Sequence, residues 1–249
     1  MLKKVYLIIV TQMLLLSSSV VAAEAMDMKK SAFMAVKVKA DKGEANSQFA
    51  LGGMYYQGIV TDKDYPAAAV LYEKAADQGH LKATYNLAMM YTTGKGVKKD
   101  MHKAINLFST AANKGDTKSI MHLASILYKG DGVEKDLKKA FYWYKLAADD
   151  GYPRAQHKVG TMYQRGRGVA RDIQQAKVYL KKSAMQSCAD AQYDLGMMYL
   201  DGDDGFAKNS EEAKELMQDA YLNGKPEAKA ILDKEQWNVK SDGSELPQE

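Results

Sequence analysis

The chain is nearly devoid of cysteine. Cys188 is its one thiol in 249 residues, so no intramolecular disulfide framework is available. Two readings remain for that residue: a small packed side chain where a new repeat begins, or an exposed thiol for intermolecular pairing. Catalytic signatures are missing as well. No Ser-x-x-Lys or Lys-Thr-Gly occurs, which removes the acylating-serine arrangement expected of an enzyme acting on cell-wall or β-lactam compounds. No His-Glu-x-x-His and no Cys-x-x-Cys pair is present for zinc. Gly94-Lys95-Gly96 lacks the earlier glycine and the following hydroxyl of a phosphate loop. Neither charge sign dominates: 35 basic and 31 acidic residues leave a net +4, too mild for a nucleic-acid footprint. Two weak constellations remain. His122 and His157 hold nearly matching places in adjacent repeats, and solvated histidines are the preferred reading over a metal pair. Asp201, Asp203 and Glu212 fall at calcium-loop spacing, but Phe206 stands where that loop needs glycine. No cofactor, metal or enzymatic activity is therefore expected.

Long apolar runs are also scarce, with one exception. Lys3 and Lys4 precede the run Val5–Leu16, which only Thr11 and Gln12 interrupt. Ser17, Ser18 and Ser19 then lead to Ala22, Ala23 and Ala25, small residues suited to cleavage after Ala23 or Ala25. A membrane-spanning helix needs about 20 strongly apolar residues, which the polar interruptions deny. Residues 1–25 are read as a secretory signal peptide. With no cysteine near the cleavage point, a lipid anchor is not expected. The chain is then periplasmic or secreted, with no stable membrane insertion after cleavage.

What the chain has in abundance is itself. Residues Gly130–Gly151 (GDGVEKDLKKAFYWYKLAADDG) are rewritten upstream at Gly94–Gly115 and downstream at Gly166–Ser187, with a looser copy at Gly58–Gly79, each 36 residues from the last. Such a period marks stacked units that bury one continuous core. Gly43, Gly79, Gly115 and Gly151 keep this spacing, and the series continues as Ser187 and, one residue late, Gly224. Within each unit two helical patterns alternate. Ala83, Leu87 and Tyr91 recur every four residues, Gly94 ends that helix, and Asp100 caps the next one. Asp64, Asp136 and Asp172 hold the same capping place. The second helix turns Ala104, Leu107, Phe108, Ala111 and Ala112 inward; the next unit offers Ala140, Trp143, Tyr144, Ala147 and Ala148. The fold class is all-α, a solenoid of helix-turn-helix repeats. Five units are expected over 43–78, 79–114, 115–150, 151–186 and 187–223. A capping helix over 26–42, with Ala32, Val36 and Ala40 inward, precedes them. A second cap spans 224–238, and 239–249 is a tail without apolar period.

The recurring Gly-x3-Ala-x3-Leu-Gly-x2-Tyr-x2-Gly-x-Gly-Val-x2-Asp-x3-Ala-x2-Trp-Tyr-x2-Ala-Ala-x2-Gly resembles the SEL-one-like repeat family, relatives of the tetratricopeptide repeat. Leu127 stands in place of the tyrosine, Ser187 in place of the glycine, and the fifth link carries an extra residue. The resemblance implies a right-handed α/α superhelix and a noncatalytic adaptor or scaffold of the bacterial envelope. A secreted host-interaction factor is the alternative. By analogy with tetratricopeptide solenoids, the first helix of each unit lines a concave groove. The face opposite the repeat's core carries Asn46 and Phe49; Lys82, Tyr85, Asn86 and Met89; Lys118, Met121 and His122; Arg154, His157 and Lys158; and Tyr193 beside Asp190 and Asp194. Its middle is basic, its ends are aromatic, and its last unit is acidic. That suits a protein or peptide partner with an acidic stretch, bound by a monomer and without nucleic acid. The same residues also fit a solvated face whose aromatics brace adjacent helices.

Overall fold

The structure, a computed structural model, describes residues 24–202 and 207–237. Residues 1–23 of the signal segment, Asp203 and Phe206 of the calcium-like spacing, and the 239–249 tail lie outside the described residues. Twelve helices and no strand occur among those described. They form two compact units, Met1–Asp116 and Thr117–Glu249.

The first unit contains α1 (24–41), α2 (Ala45–Gln57), α3 (Tyr65–Asp77), α4 (Leu81–Thr93) and α5 (Met101–Ala112). The second contains α6 (Thr117–Lys129), α7 (Leu137–Asp149), α8 (Pro153–Arg165), α9 (Ile173–Ala184), α10 (Ala189–Asp201), α11 (Ser210–Leu222) and α12 (Glu227–Lys234). From α2 onward the even-numbered helices open a repeat and are called A helices. Odd-numbered ones close it and are called B helices. The order is that of a helix-turn-helix solenoid.

The expected caps form. Asp64, Asp100, Asp136 and Asp172 each accept a hydrogen bond from the backbone N–H three residues on, at 2.9–3.0 Å. Asn209 takes this place in the fifth repeat, one residue late because of the longer link, accepting from Glu212 N–H at 3.2 Å. Each such cap is worth about 1 kcal/mol of helix stability. Leu51, Leu87, Leu123, Val159 and Leu195 recur at the repeat period and are all at most 3% exposed. Burying each contributes roughly 1.5–3 kcal/mol. At the next residue of the A helix a small side chain or none, Gly52, Ala88, Ala124, Gly160 or Gly196, admits the B helix. A Cβ at Gly160 would stand 2.7 Å from Leu180 Cγ, and one at Gly52 would stand 2.9 Å from the Tyr72 ring.

Repeats are joined at two further places. The second glycine of a link lies directly on the start of the preceding B helix. A Cβ on Gly96 would sit 2.4 Å from the Tyr65 carbonyl, and one on Gly168 only 2.0 Å from the Leu137 oxygen. Both glycines also have positive φ (72° and 76°). At the opposite edge, buried glutamines clasp the chain. Gln48, Gln156 and Gln192 donate to the carbonyls of Ala40, Ala148 and Ala184, while Gln78, Gln186 and Asn223 donate to their side-chain oxygens at 2.7–3.0 Å.

The first cap differs from the expectation in one respect. Ala32 is exposed and Phe33, only 7% exposed, packs in its stead with Ala40 and Leu51, because the larger ring buries more apolar surface. At the other end the helix stops at Lys234 rather than continuing to Trp237. Gln236 turns to positive φ, and the Trp237 ring folds back onto Met217 and Leu232.

Gly96→Ala should cost roughly 3 kcal/mol, from backbone overlap added to the left-handed φ, and Gly168→Ala should cost a similar amount. Ser187 occupies the repeat-boundary position at φ 59°, where the other repeats have glycine. Ser187→Gly should therefore stabilise the protein by about 0.5–1 kcal/mol. Urea midpoints for the three variants check both signs.

Candidate functional site

In the first unit, Asn46 and Lys82 are exposed, and Phe49, Tyr85, Asn86 and Met89 are half-buried. The aromatics engage neighbouring helices. Phe49 stacks on His80 with centroids 4.5 Å apart and leans on Tyr72 at 5.8 Å. Tyr85 meets Phe108 edge-on at 5.8 Å. The Asn86 amide hydrogen-bonds the Tyr72 hydroxyl, whose pKa burial pushes up. Lys82 has no ion-pair partner among the described residues.

In the second unit, Lys118, Arg154 and Lys158 are exposed, and Met121, His122 and Tyr193 are half-buried. His157 is not a free surface histidine. It is 7% exposed, and its Nε2 lies 2.7 Å from Asp194 Oδ2, tying α8 to α10. Among the described residues no three His, Cys, Asp or Glu side chains gather to hold a metal ion.

The acidic end of this face is largely spoken for. Lys225, which begins the segment leading into α12, bonds Asp190 at 2.8 Å and lies 5.6 Å over the Tyr193 ring. The Lys225 bond holds the Asp190 carboxyl below its ordinary range, and the same bond raises the ammonium. With Asp194 on His157 and Asp190 on Lys225, the exposed cations Arg154 and Lys158 are left without ion-pair partners among the described residues. The basic middle read from the sequence remains a cationic face on α8, while the acidic last unit is consumed by internal pairing.

Beside it opens a cleft of about 550 Å³ at the starts of α8, α10 and α12. Tyr152, Arg154, Cys188, Asp190, Asn223 and Lys225 are among its lining residues. Of these, Arg154 and Asp190 lie on the sequence-predicted groove face, joined in the lining by Met121. The others sit in B-to-A connections, which helical periodicity does not score. The available signal was Asp190 and Lys225, opposite charges about one repeat apart. Cys188 takes the N-terminal capping position of α10, half-buried and without a side-chain cap bond. No helix among the described residues is long and apolar enough to cross a membrane.

Burial, and then the Lys129 charge, lowers the pKa of the half-buried His122 below 6.5. The folded state favours the neutral imidazole, so the unfolded chain binds more protons and stability falls as pH drops below about 6.5. The His122 ring-proton titration should have its midpoint below that of free histidine. His122→Gln should flatten the decline of the urea midpoint between neutrality and mild acid.

The Sel1 repeat profile matches residues 45–80, 81–116, 117–152, 153–188 and 189–225. Each window opens at the first residue of an A helix: Ala45, Leu81, Thr117, Pro153 or Ala189. Among solved structures, a protective antigen present in uropathogenic Escherichia coli strains is 31% identical with a TM-score of 0.77, over 84% of this chain and 45% of that one. A Sel1 repeat protein from Oxalobacter formigenes is 30% identical with a TM-score of 0.68, over 76% and 75% of the two chains. This chain thus spans under half the length of the first of these relatives. No curated protein sequence matches it.

Proposed function

This chain belongs to the Sel1 repeat family, and from that premise we propose that it is an adaptor of the bacterial envelope that captures an acidic segment of a partner protein on its A helices. The family generally mediates protein–protein interaction and is typically noncatalytic. The observation that carries the finer reading is the internal pairing of Asp190 and Asp194, which leaves Arg154 and Lys158 exposed and unpaired among the described residues. Arginine and lysine so placed favour carboxylates, and Arg154 can hold one through two N–H donors. Lys118 extends the same chemistry on α6 of the second unit, and Lys82 is a separate exposed cation on α4 of the first. The half-buried rings brace helices and offer their edges to the ligand's apolar side chains. The cleft beside Arg154 supplies concave space for one such side chain or a peptide turn.

The envelope location rests on the sequence reading of residues 1–25. The relative that is a protective antigen supports a second reading of the same binding activity, in which the partner belongs to a host.

Cross-linking in cells with mass spectrometry identifies captured proteins, and a synthetic acidic segment of the captured protein is then titrated. Lys118→Glu, Arg154→Glu and Lys158→Glu combined should weaken that binding by roughly tenfold or more, at unchanged helical circular dichroism. Undiminished affinity would remove the A-helix face from consideration.

A further inference from the structure

The B helices of the second unit carry a separate surface that the A-helix reading leaves unused. Tyr179 on α9 donates to Asp149 on α7 at 2.7 Å, and Lys145 of α7 lies 5.9 Å from the centre of the Tyr179 ring. Lys181 on α9 is held protonated chiefly by Tyr199, with Glu212 of α11 adding to the effect. The Tyr179–Asp149 bond sets α9 beside α7, and the repeat period gives α11 the same place relative to α9. Their outward positions follow one register, four residues apart: Lys138, Tyr142 and Leu146 on α7; Gln174, Val178 and Lys182 on α9; Glu211, Glu215 and Asp219 on α11.

This outer face is not an ordinary solvated one. Tyr142 is 61% exposed, Val178 43% and Leu146 37%, and Leu222 at the end of α11 is 59% exposed. Its charge is also sorted by helix. Lys138 and Lys182 flank the apolar residues, whereas the corresponding stripe of α11 is wholly acidic. Lys138, Glu211, Glu215 and Asp219 are exposed and form no ion pair among the described residues.

We propose that this face pairs with a second copy of the chain, about a two-fold axis running along α9. That operation lays α7 of one copy over α11 of the other, and the reverse pair forms by symmetry. Lys138 then faces Glu211 of the second copy, the Tyr142 hydroxyl reaches its Glu215, and Leu146 lies against its Asp219. The two Lys182 side chains, opposite each other across the axis, splay aside so that each reaches the Asp219 of the other copy. Val178 meets Val178 on the axis, and the apolar side chains between the charges leave water. The occupant is a second copy because the acidic stripe that complements α7 is presented by the same face, at the same spacing. A two-fold interface requires such self-complementarity. The dimer leaves the A helices free, so it doubles the number of capture faces without competing with them. Where the sequence alone suggested a monomer, the surface specifies a pair.

Sedimentation equilibrium of the signal-cleaved chain at low ionic strength should give twice the monomer mass, and the association should weaken as salt is added. Glu211→Lys, Glu215→Lys and Asp219→Lys combined should give monomers, as should Lys138→Glu with Lys182→Glu. An equimolar mixture of the two variants should recover the dimer, because every pairing is again between opposite charges. As a check independent of those substitutions, Val178→Cys in a Cys188→Ser background should oxidise to a disulfide-linked dimer. A wild-type chain that stays monomeric at every concentration, a mixture that fails to associate, or a Val178→Cys chain that does not cross-link overturns the proposal.

Discussion

Everything in this fold depends on how closely one repeat's backbone can lie on the next. At Gly96 and Gly168 the link rests on the first residues of the preceding B helix, with no room for even a methyl group. A few tenths of an ångström there would propagate, since the same link ends one helix and positions the capping aspartate of another. The A-helix glycines act similarly one layer deeper, where Gly52 and Gly160 accept the side chains of Tyr72 and Leu180. Helical propensity contributes little to this. The defining constraint is steric, and the large residues of the repeat fill what the small ones leave open.

The scaffold was legible because its determinants are local and repeated. An aspartate at the head of a helix acts through its own backbone N–H three residues on, so Asp64, Asp100, Asp136 and Asp172 could be assigned from spacing alone. The inward leucines could be assigned the same way. What sequence did not disclose depends on partners about a repeat away. Gln48, Gln156 and Gln192 look like ordinary polar residues of an A helix until the carbonyl eight residues back and the amide about 30 residues ahead are brought to them. His157 looked solvent-facing because the periodicity that located it says nothing of Asp194, which lies 37 residues away. Phe33 displaced Ala32 from the first cap because size decides between two adjacent candidates when helix phase does not.

The same limit applies to the candidate site. Projection found the face and the basic sign of its middle, but not the loss of charge at its acidic end. Asp190 and Asp194 counted as acidity in the sequence and are consumed by Lys225 and His157 in the structure. The cleft belongs to the connections between helices, and one-helix periodicity has no term for those. Binding surface and scaffold are thus built from different residues of the same repeat: the invariant spacing holds the stack, and the positions that vary between copies carry the charge.

One consequence lies in how such a chain acquires its structure. Two of its cross-repeat contacts, Lys95 to Tyr56 and Arg167 to Tyr128, span only 39 residues, and the glutamine clasps span about 30. Loop-closure entropy grows slowly with length, and here no long loop among these contacts has to be closed before its reward arrives. Any one repeat with its neighbour can serve as a nucleus, and growth then proceeds outward in either direction. A chain delivered through a narrow pore, N-terminus first, can therefore fold repeat by repeat as it emerges, without waiting for its last residue.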